Sequence, residues 1–182
     1  MPPTVQKGRG AVSRRDGRFE TRPVEFDEEE AARRAEVAPE TVLTAMTAGR
    51  IISRNTSPDV PFDQSINPYQ GCEHGCIYCY ARPSHSYLDL SPGLDFETRL
   101  FSKPEAARLL DNALRKPAYR CQPLALGVNT DAYQPIERKL GITRSVLEVL
   151  QRFRHPVSII TKSALVERDI DILREMAQDR LV

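Results

Sequence analysis

Short apolar runs alternating with amphipathic helical stretches restrict this chain to a parallel βα architecture. PLALGVN (residues 123–129) and PVSIITK (156–162) read as strands, and SINPYQGC (65–72) reads as an earlier one ending at a glycine turn. Ala106, Leu109, Leu110, Ala113 and Leu114 recur at helical spacing, preceded by Ser102 and Glu105 in the arrangement of a capping box. Thr143 is the expected N-cap of a second helix, with Val146, Leu147, Leu150 and Phe153 inward. Val166, Ile170, Leu173 and Ala177 mark one face of a third. Crossovers of one hand wind such strands in one direction. Polar residues follow each strand: the cysteines after the first, Asn129-Thr130-Asp131 after the second, Thr161-Lys162-Ser163 after the third. Ligands of parallel βα folds sit at the carboxyl ends of the strands. The three polar clusters are therefore expected on one face.

Residues 1–40 have a different texture. KGRG, SRRDGR and FDEEEAARRAE alternate charge blocks with few large apolar side chains, the composition of a disordered charged tail. Its basic first part could touch nucleic acid, although a solvated arm is the simpler reading. Ala31–Glu36 reads as a short charged helix. A folded domain is expected over 41–182, with Val42, Leu43, Met46, Ile51 and Ile52 leading in. Residues 80–101 form a long connection within which DFETRLF (95–101) is a short extended piece. Leu181 and Val182 resemble the start of a fourth strand, so the sheet is expected to be truncated after about three βα units.

Lys and Arg total 26 against 25 Asp and Glu, which excludes global charge steering toward nucleic acid, anionic membrane or acidic substrates. No apolar run approaches the roughly 20 residues of a membrane span. MPPTVQKGRG lacks the apolar centre of a secretory signal. A cytoplasmic protein without a membrane partner is expected, in a compartment that keeps thiols reduced.

Three of the four cysteines lie within eight residues: Cys72, Cys76 and Cys79, spaced C-x3-C-x2-C. Thiolates are soft ligands that suit iron–sulfur clusters, zinc or cuprous copper. Three closely spaced cysteines can each take one corner of a four-iron cubane, leaving the fourth iron open. Zinc asks instead for four tetrahedral ligands, with His74, His85 or Cys121 as the fourth. Buried unliganded thiols are the third reading.

With Tyr78 as the aromatic, C-x3-C-x-aromatic-C resembles the signature of the radical S-adenosylmethionine (SAM) superfamily. INPYQGCEHGCIYCYARPSHSYLDLSPGLDFE, NTDAYQPIERKLGITR and ITKSALVERDIDIL resemble the branch related to spore photoproduct lyase, over about residues 40–182. The resemblance implies an α/β fold, a partial parallel (βα) barrel of radical SAM type, of which 41–182 is the N-terminal half. It implies a 4Fe-4S cluster on Cys72, Cys76 and Cys79, with S-adenosyl-L-methionine chelating the unique iron. Tyr78 would lie near the adenine, Thr130 and Asp131 would meet the SAM amino group, and Lys162 would pair with its carboxylate. A charge-assisted contact at each end of the amino acid makes physical sense. Asp131 as a turn residue and Lys162 as a solvent-facing charge are the bland alternatives, and Gln134 and Glu137 rank as supporting residues. A lyase-like enzyme supplied with electrons by flavodoxin or ferredoxin is implied, its substrate unassigned and a nucleic-acid-related one among the candidates. The competing expectations are a non-catalytic zinc or Fe-S module and an inactive fragment. Spore photoproduct lyase uses a cysteine near the end of its second strand as hydrogen donor, whereas GVNTDAY has none and Cys121 precedes the strand. That difference argues against thymine-dimer repair.

Overall fold

Leu124, Ala125 and Leu126 are all buried, as a strand covered on both faces requires. They form the centre of a sheet in a computed structural model that describes residues 9–11 and 40–182. The short helix expected at Ala31–Glu36, and most of the charged tail, lie outside the described residues. In chain order the strands are β1 (Val42–Ala45), β2 (Ile52–Arg54), β3 (Gln64–Ile66), β4 (Tyr69–Gln70), β5 (Arg99–Ser102), β6 (Leu124–Leu126) and β7 (Val157–Ile159). The α-helices are α1 (Asp95–Thr98), α2 (Ala106–Leu114), α3 (Glu137–Leu140), α4 (Ile142–Arg152) and α5 (Ile170–Gln178). 3-10 helices occupy Arg82–Leu88 and Ala164–Asp169.

The fold is mixed α/β, and the body expected over 41–182 divides into two compact units. Among the described residues, one comprises 9–11, 40–44 and 70–101; the other comprises 45–69 with 102–182. A three-stranded sheet runs β1-β5-β4, and a four-stranded sheet runs β2-β3-β6-β7. In the second, β3, β6 and β7 are parallel, with Ile66, Leu126 and Ile159 level at their carboxyl ends. β2 adds to the edge antiparallel. No closed barrel forms among the described residues. α2 packs against α4, and α4 against α5, contributing Leu110, Val146, Leu147, Leu150, Ile172 and Met176 to the core. Each such side chain stabilises by about 1.5–3 kcal/mol relative to exposure.

Several local expectations are corrected. SINPYQGC is two strands in different sheets, broken at Asn67-Pro68, because proline cannot donate to a ladder. DFETRLF is a helical turn followed by a strand. No capping box forms: Ser102 belongs to β5, and α2 starts without a side-chain cap. Its first N–H is taken by the Lys103 carbonyl at 3.0 Å. Thr143 lies inside α4, its hydroxyl donating to the Ala132 carbonyl at 2.6 Å, and Glu137 takes the free N–H groups instead. The third helix buries Ile172 and Met176 and leaves Ile170 63% exposed. The 3-10 lead-in turns every three residues, so extrapolating an α period back to Val166 shifts the face. Leu181 and Val182 are not in a strand; the Leu181 carbonyl accepts from Val157 N–H at 2.7 Å.

Candidate functional site

The first unit carries the thiol loop, and its shape begins at Gly71. This residue sits at φ +76°, and a Cβ there would stand 2.9 Å from the Phe96 carbonyl oxygen, His85 Cε1 and Leu100 Cδ2. Only glycine fits, so the chain can turn out of β4 tight against α1. Cys72 N–H then donates to the Phe96 carbonyl at 2.8 Å, and Cys79 N–H donates to Cys76 at 3.3 Å. Cys72 is buried with Ala81 and Phe96, and Cys79 packs on the same apolar patch. None of the four cysteines is in a disulfide. Tyr78, by contrast, is 80% exposed, alongside exposed Ile77 and Tyr80.

An ion pair between half-buried Arg82 and buried Glu97 braces this loop. Arg82 donates to the Cys76 carbonyl through Nε (3.3 Å) and Nη2 (2.9 Å), and to Gly93 through Nη1 (3.1 Å). Its guanidinium lies 5.5 Å from the Phe96 ring centroid and pairs with Glu97. Glu97 is fully buried and also accepts Gly10 N–H (3.0 Å) and Ala11 N–H (2.8 Å). His85, just beneath, donates from Nε2 to the Arg99 carbonyl at 2.9 Å, and burial pushes its pKa down. Nε2 is thereby committed to backbone, and the buried Nδ1 has no hydrogen-bond partner among the described residues. Cys121 is an exposed residue of the second unit.

Thiolate chemistry suits iron–sulfur clusters and zinc, and one loop supplies three such donors. Among the described residues no three His, Cys, Asp or Glu side chains are gathered into a ligand set. The donor chemistry suits a cluster or zinc alike, and what the fold holds in place is the backbone of the loop rather than a ready-made cage of sulfurs.

The second unit gathers the other expected residues. Asp131 ties together the exits of two parallel strands: Oδ1 accepts the Thr161 hydroxyl (2.7 Å) and Tyr133 N–H (2.8 Å), and Oδ2 accepts Lys162 N–H (3.1 Å). The bond to Tyr133, two residues on, makes Asp131 the turn residue of its alternative reading. Thr130 is buried, its hydroxyl donating to the Tyr69 carbonyl at 3.1 Å. Lys162 is exposed at the end of β7. Strand-end convergence thus holds for Thr130, Asp131 and Lys162; the cysteines and Tyr78 belong to the other unit.

Glu137 is the buried hub of the second unit. It accepts the Tyr69 hydroxyl, Thr143 N–H (3.0 Å), Arg144 N–H (3.4 Å) and Arg168 Nη2 (2.7 Å). A carboxylate is favourable at that helix start, where the N–H groups and dipole are positive. Burial, then the hydrogen bond to Glu137, pushes the Tyr69 pKa far up, keeping the phenol protonated. Sequence reasoning missed Asn67 and Lys103, which join the strand-end cluster: Asn67 Oδ1 accepts Asn129 N–H at 2.8 Å, and Lys103 Nζ donates to the Asn67 carbonyl at 2.9 Å. It also missed Arg82, Glu97 and residues 9–11. Each is a single charged or small residue, and no spacing rule marks such a residue as a brace.

No family model matches the chain, and no solved structure matches it. An uncharacterized protein of Mycobacterium tuberculosis is 42% identical over 119 residues, covering 65% of this chain and 35% of the relative. One from Mycobacterium bovis matches equally, at 42% over 119 residues with the same coverage. An uncharacterized protein of Methanocaldococcus jannaschii is 31% identical over 112 residues, covering 62% of this chain and 40% of its own length. The chain thus spans 35 to 40% of the curated relatives it matches. No helix among the described residues is long and apolar enough to cross a membrane.

Proposed function

We propose that this chain is the cluster-binding part of a radical SAM enzyme, with Cys72, Cys76 and Cys79 as ligands of a 4Fe-4S cluster. The observation that carries the reading is a loop with three thiols in eight residues, none in a disulfide, braced through its backbone by half-buried Arg82 and buried Glu97. A buried carboxylate is costly to desolvate, so the placement of Glu97 under an otherwise irregular loop favours a loop held for function. When bound, such a cluster supplies an electron that cleaves SAM to methionine and a 5′-deoxyadenosyl radical. The chain's own part is positional. Arg82 fixes the Cys76 carbonyl, Gly71 sets the entry of the loop, and exposed Tyr78 is available to cover an adenine. Thr130, Asp131 and Lys162 are the residues that the resemblance assigns to the amino and carboxylate groups of SAM. The partial-barrel fold, the lyase-like chemistry and a flavodoxin- or ferredoxin-type reductant belong to the same proposal.

Anaerobic reconstitution followed by iron and sulfide analysis tests it. About four irons per chain are expected. Cys76→Ala should abolish cluster formation, and full iron content in that variant refutes the ligand assignment. Stoichiometric zinc with no iron would replace the enzyme reading by a zinc module.

A further inference from the structure

A short piece of the N-terminal segment is built into the thiol loop. Arg9 Nη1 donates to the Glu97 carbonyl at 2.9 Å, and Arg9 Nη2 donates to the Thr41 hydroxyl at 2.8 Å. Thr41 passes the contact on to Glu73, between Cys72 and Cys76, by donating to its carboxylate at 2.5 Å. Arg9 itself stands 4.0 Å from the Glu73 carboxylate. Gly10 N–H donates to Glu97 Oε2, and Ala11 N–H shares Oε1 with Arg82. Gly10 is pressed so closely on the loop that a Cβ there would meet the Gly75 carbonyl oxygen at 1.9 Å. Residues 9–11 therefore touch the loop on both sides of Gly75: at Glu73 through Thr41, and at the Cys76 carbonyl through Glu97 and Arg82.

We infer that Arg9, Gly10 and Ala11 form a clasp that holds the cysteine loop in the shape in which it presents its thiols. Apart from the close packing of Gly10 on Gly75, these contacts are polar or charge-assisted, and such bonds strengthen where water is excluded. Glu97 would otherwise keep one carboxylate face in a buried site with only Arg82 to satisfy it, a strong penalty against release of the segment. As a cluster-retention device the clasp rests on the radical SAM proposal; as a mechanical contact on the loop it does not.

The test uses the full chain with Gly10→Ala, whose methyl group cannot fit, and Arg9→Ala, which adds no bulk. Iodoacetamide alkylation of the iron-free protein is followed by mass spectrometry, with exposed Cys121 as internal reference. Losing charge-assisted hydrogen bonds at the clasp should raise alkylation of Cys76 and Cys79 about tenfold relative to Cys121. Reconstituted protein of both variants should lose its visible absorbance to a chelator faster than the parent chain. Alkylation rates within about twofold of the parent in both variants would overturn the clasp, since an opening loop must expose its thiols. Faster alkylation in a chain that never takes up iron would keep the clasp and sink the cluster.

Discussion

Glu97 and Glu137 are the same device used in two ways. Each is fully buried, each pairs with an arginine (Arg82 and Arg168), and each accepts two backbone N–H groups. The donors to Glu137 are Thr143 and Arg144, six and seven residues on, at the start of a helix. Those to Glu97 are Gly10 and Ala11, 87 and 86 residues back. The local version caps a helix and organises a core. The long-range version closes a loop of chain, at an entropic cost that grows slowly with its length, and so can hold a distant segment at little extra penalty. One carboxylate makes a unit stable; the other makes a loop hold its place.

Removing the local hub should do the most damage. Glu137→Ala leaves the buried Tyr69 hydroxyl and the Thr143 and Arg144 N–H groups without their acceptor, while half-buried Arg168 keeps the Asp169 carboxylate. Leaving buried donors unsatisfied costs about 1–3 kcal/mol each, so a loss of about 3 kcal/mol or more is expected, read by urea denaturation. A loss under 1 kcal/mol would mean that the hub is not the organiser of its unit. Glu97→Ala should cost less, about 2 kcal/mol, because the Gly10 and Ala11 N–H groups it releases are only half-buried and Arg82 keeps the Cys76 and Gly93 carbonyls as acceptors. Hydrogen exchange should localise its effect to amides of residues 72–82, with α4 unchanged. Equal loosening of both regions would erase the contrast.

The smallest effect is a pH dependence shared by the two units. Burial holds His85 and His155 below the ordinary 6.5; His155 Nδ1 donates to the Pro156 carbonyl, and its Nε2 lies 2.8 Å from the Tyr119 hydroxyl. The unfolded chain takes up these protons near pH 6.5 and the folded one resists them, so stability is full above that value and falls as pH drops toward the depressed values. Melting curves from pH 7.5 to 5.5 should show the loss, and His155→Gln should flatten the part belonging to the second unit. An unchanged slope would assign the dependence to His85 alone.

The βα alternation was readable because Leu124, Leu126, Val146, Leu147 and Leu150 follow periods that burial imposes directly. Boundaries were less so. Ser102 and Thr143 have the chemistry of caps, but Ser102 ends a strand four residues before its helix begins, and the Thr143 hydroxyl is taken by the Ala132 carbonyl. The phase of α5 was hidden by the 3-10 turn ahead of it. At the candidate site, the three cysteines were legible from type and spacing, and Asp131 from its place after a strand. Arg82 and Glu97 were not, for nothing in a linear string distinguishes a charge that will be buried from one that will be solvated.

Local order carries information about periodicity, turn chemistry and the donor atoms available, because each depends on residues within a few positions. From that alone came the parallel strands and the three thiols on one loop. Which charges meet is a matter of chain segments dozens of residues apart, and it is decided only when packing removes water and leaves each buried group the partners that remain. The pairing of Gly10 and Ala11 with Glu97 is of that second kind.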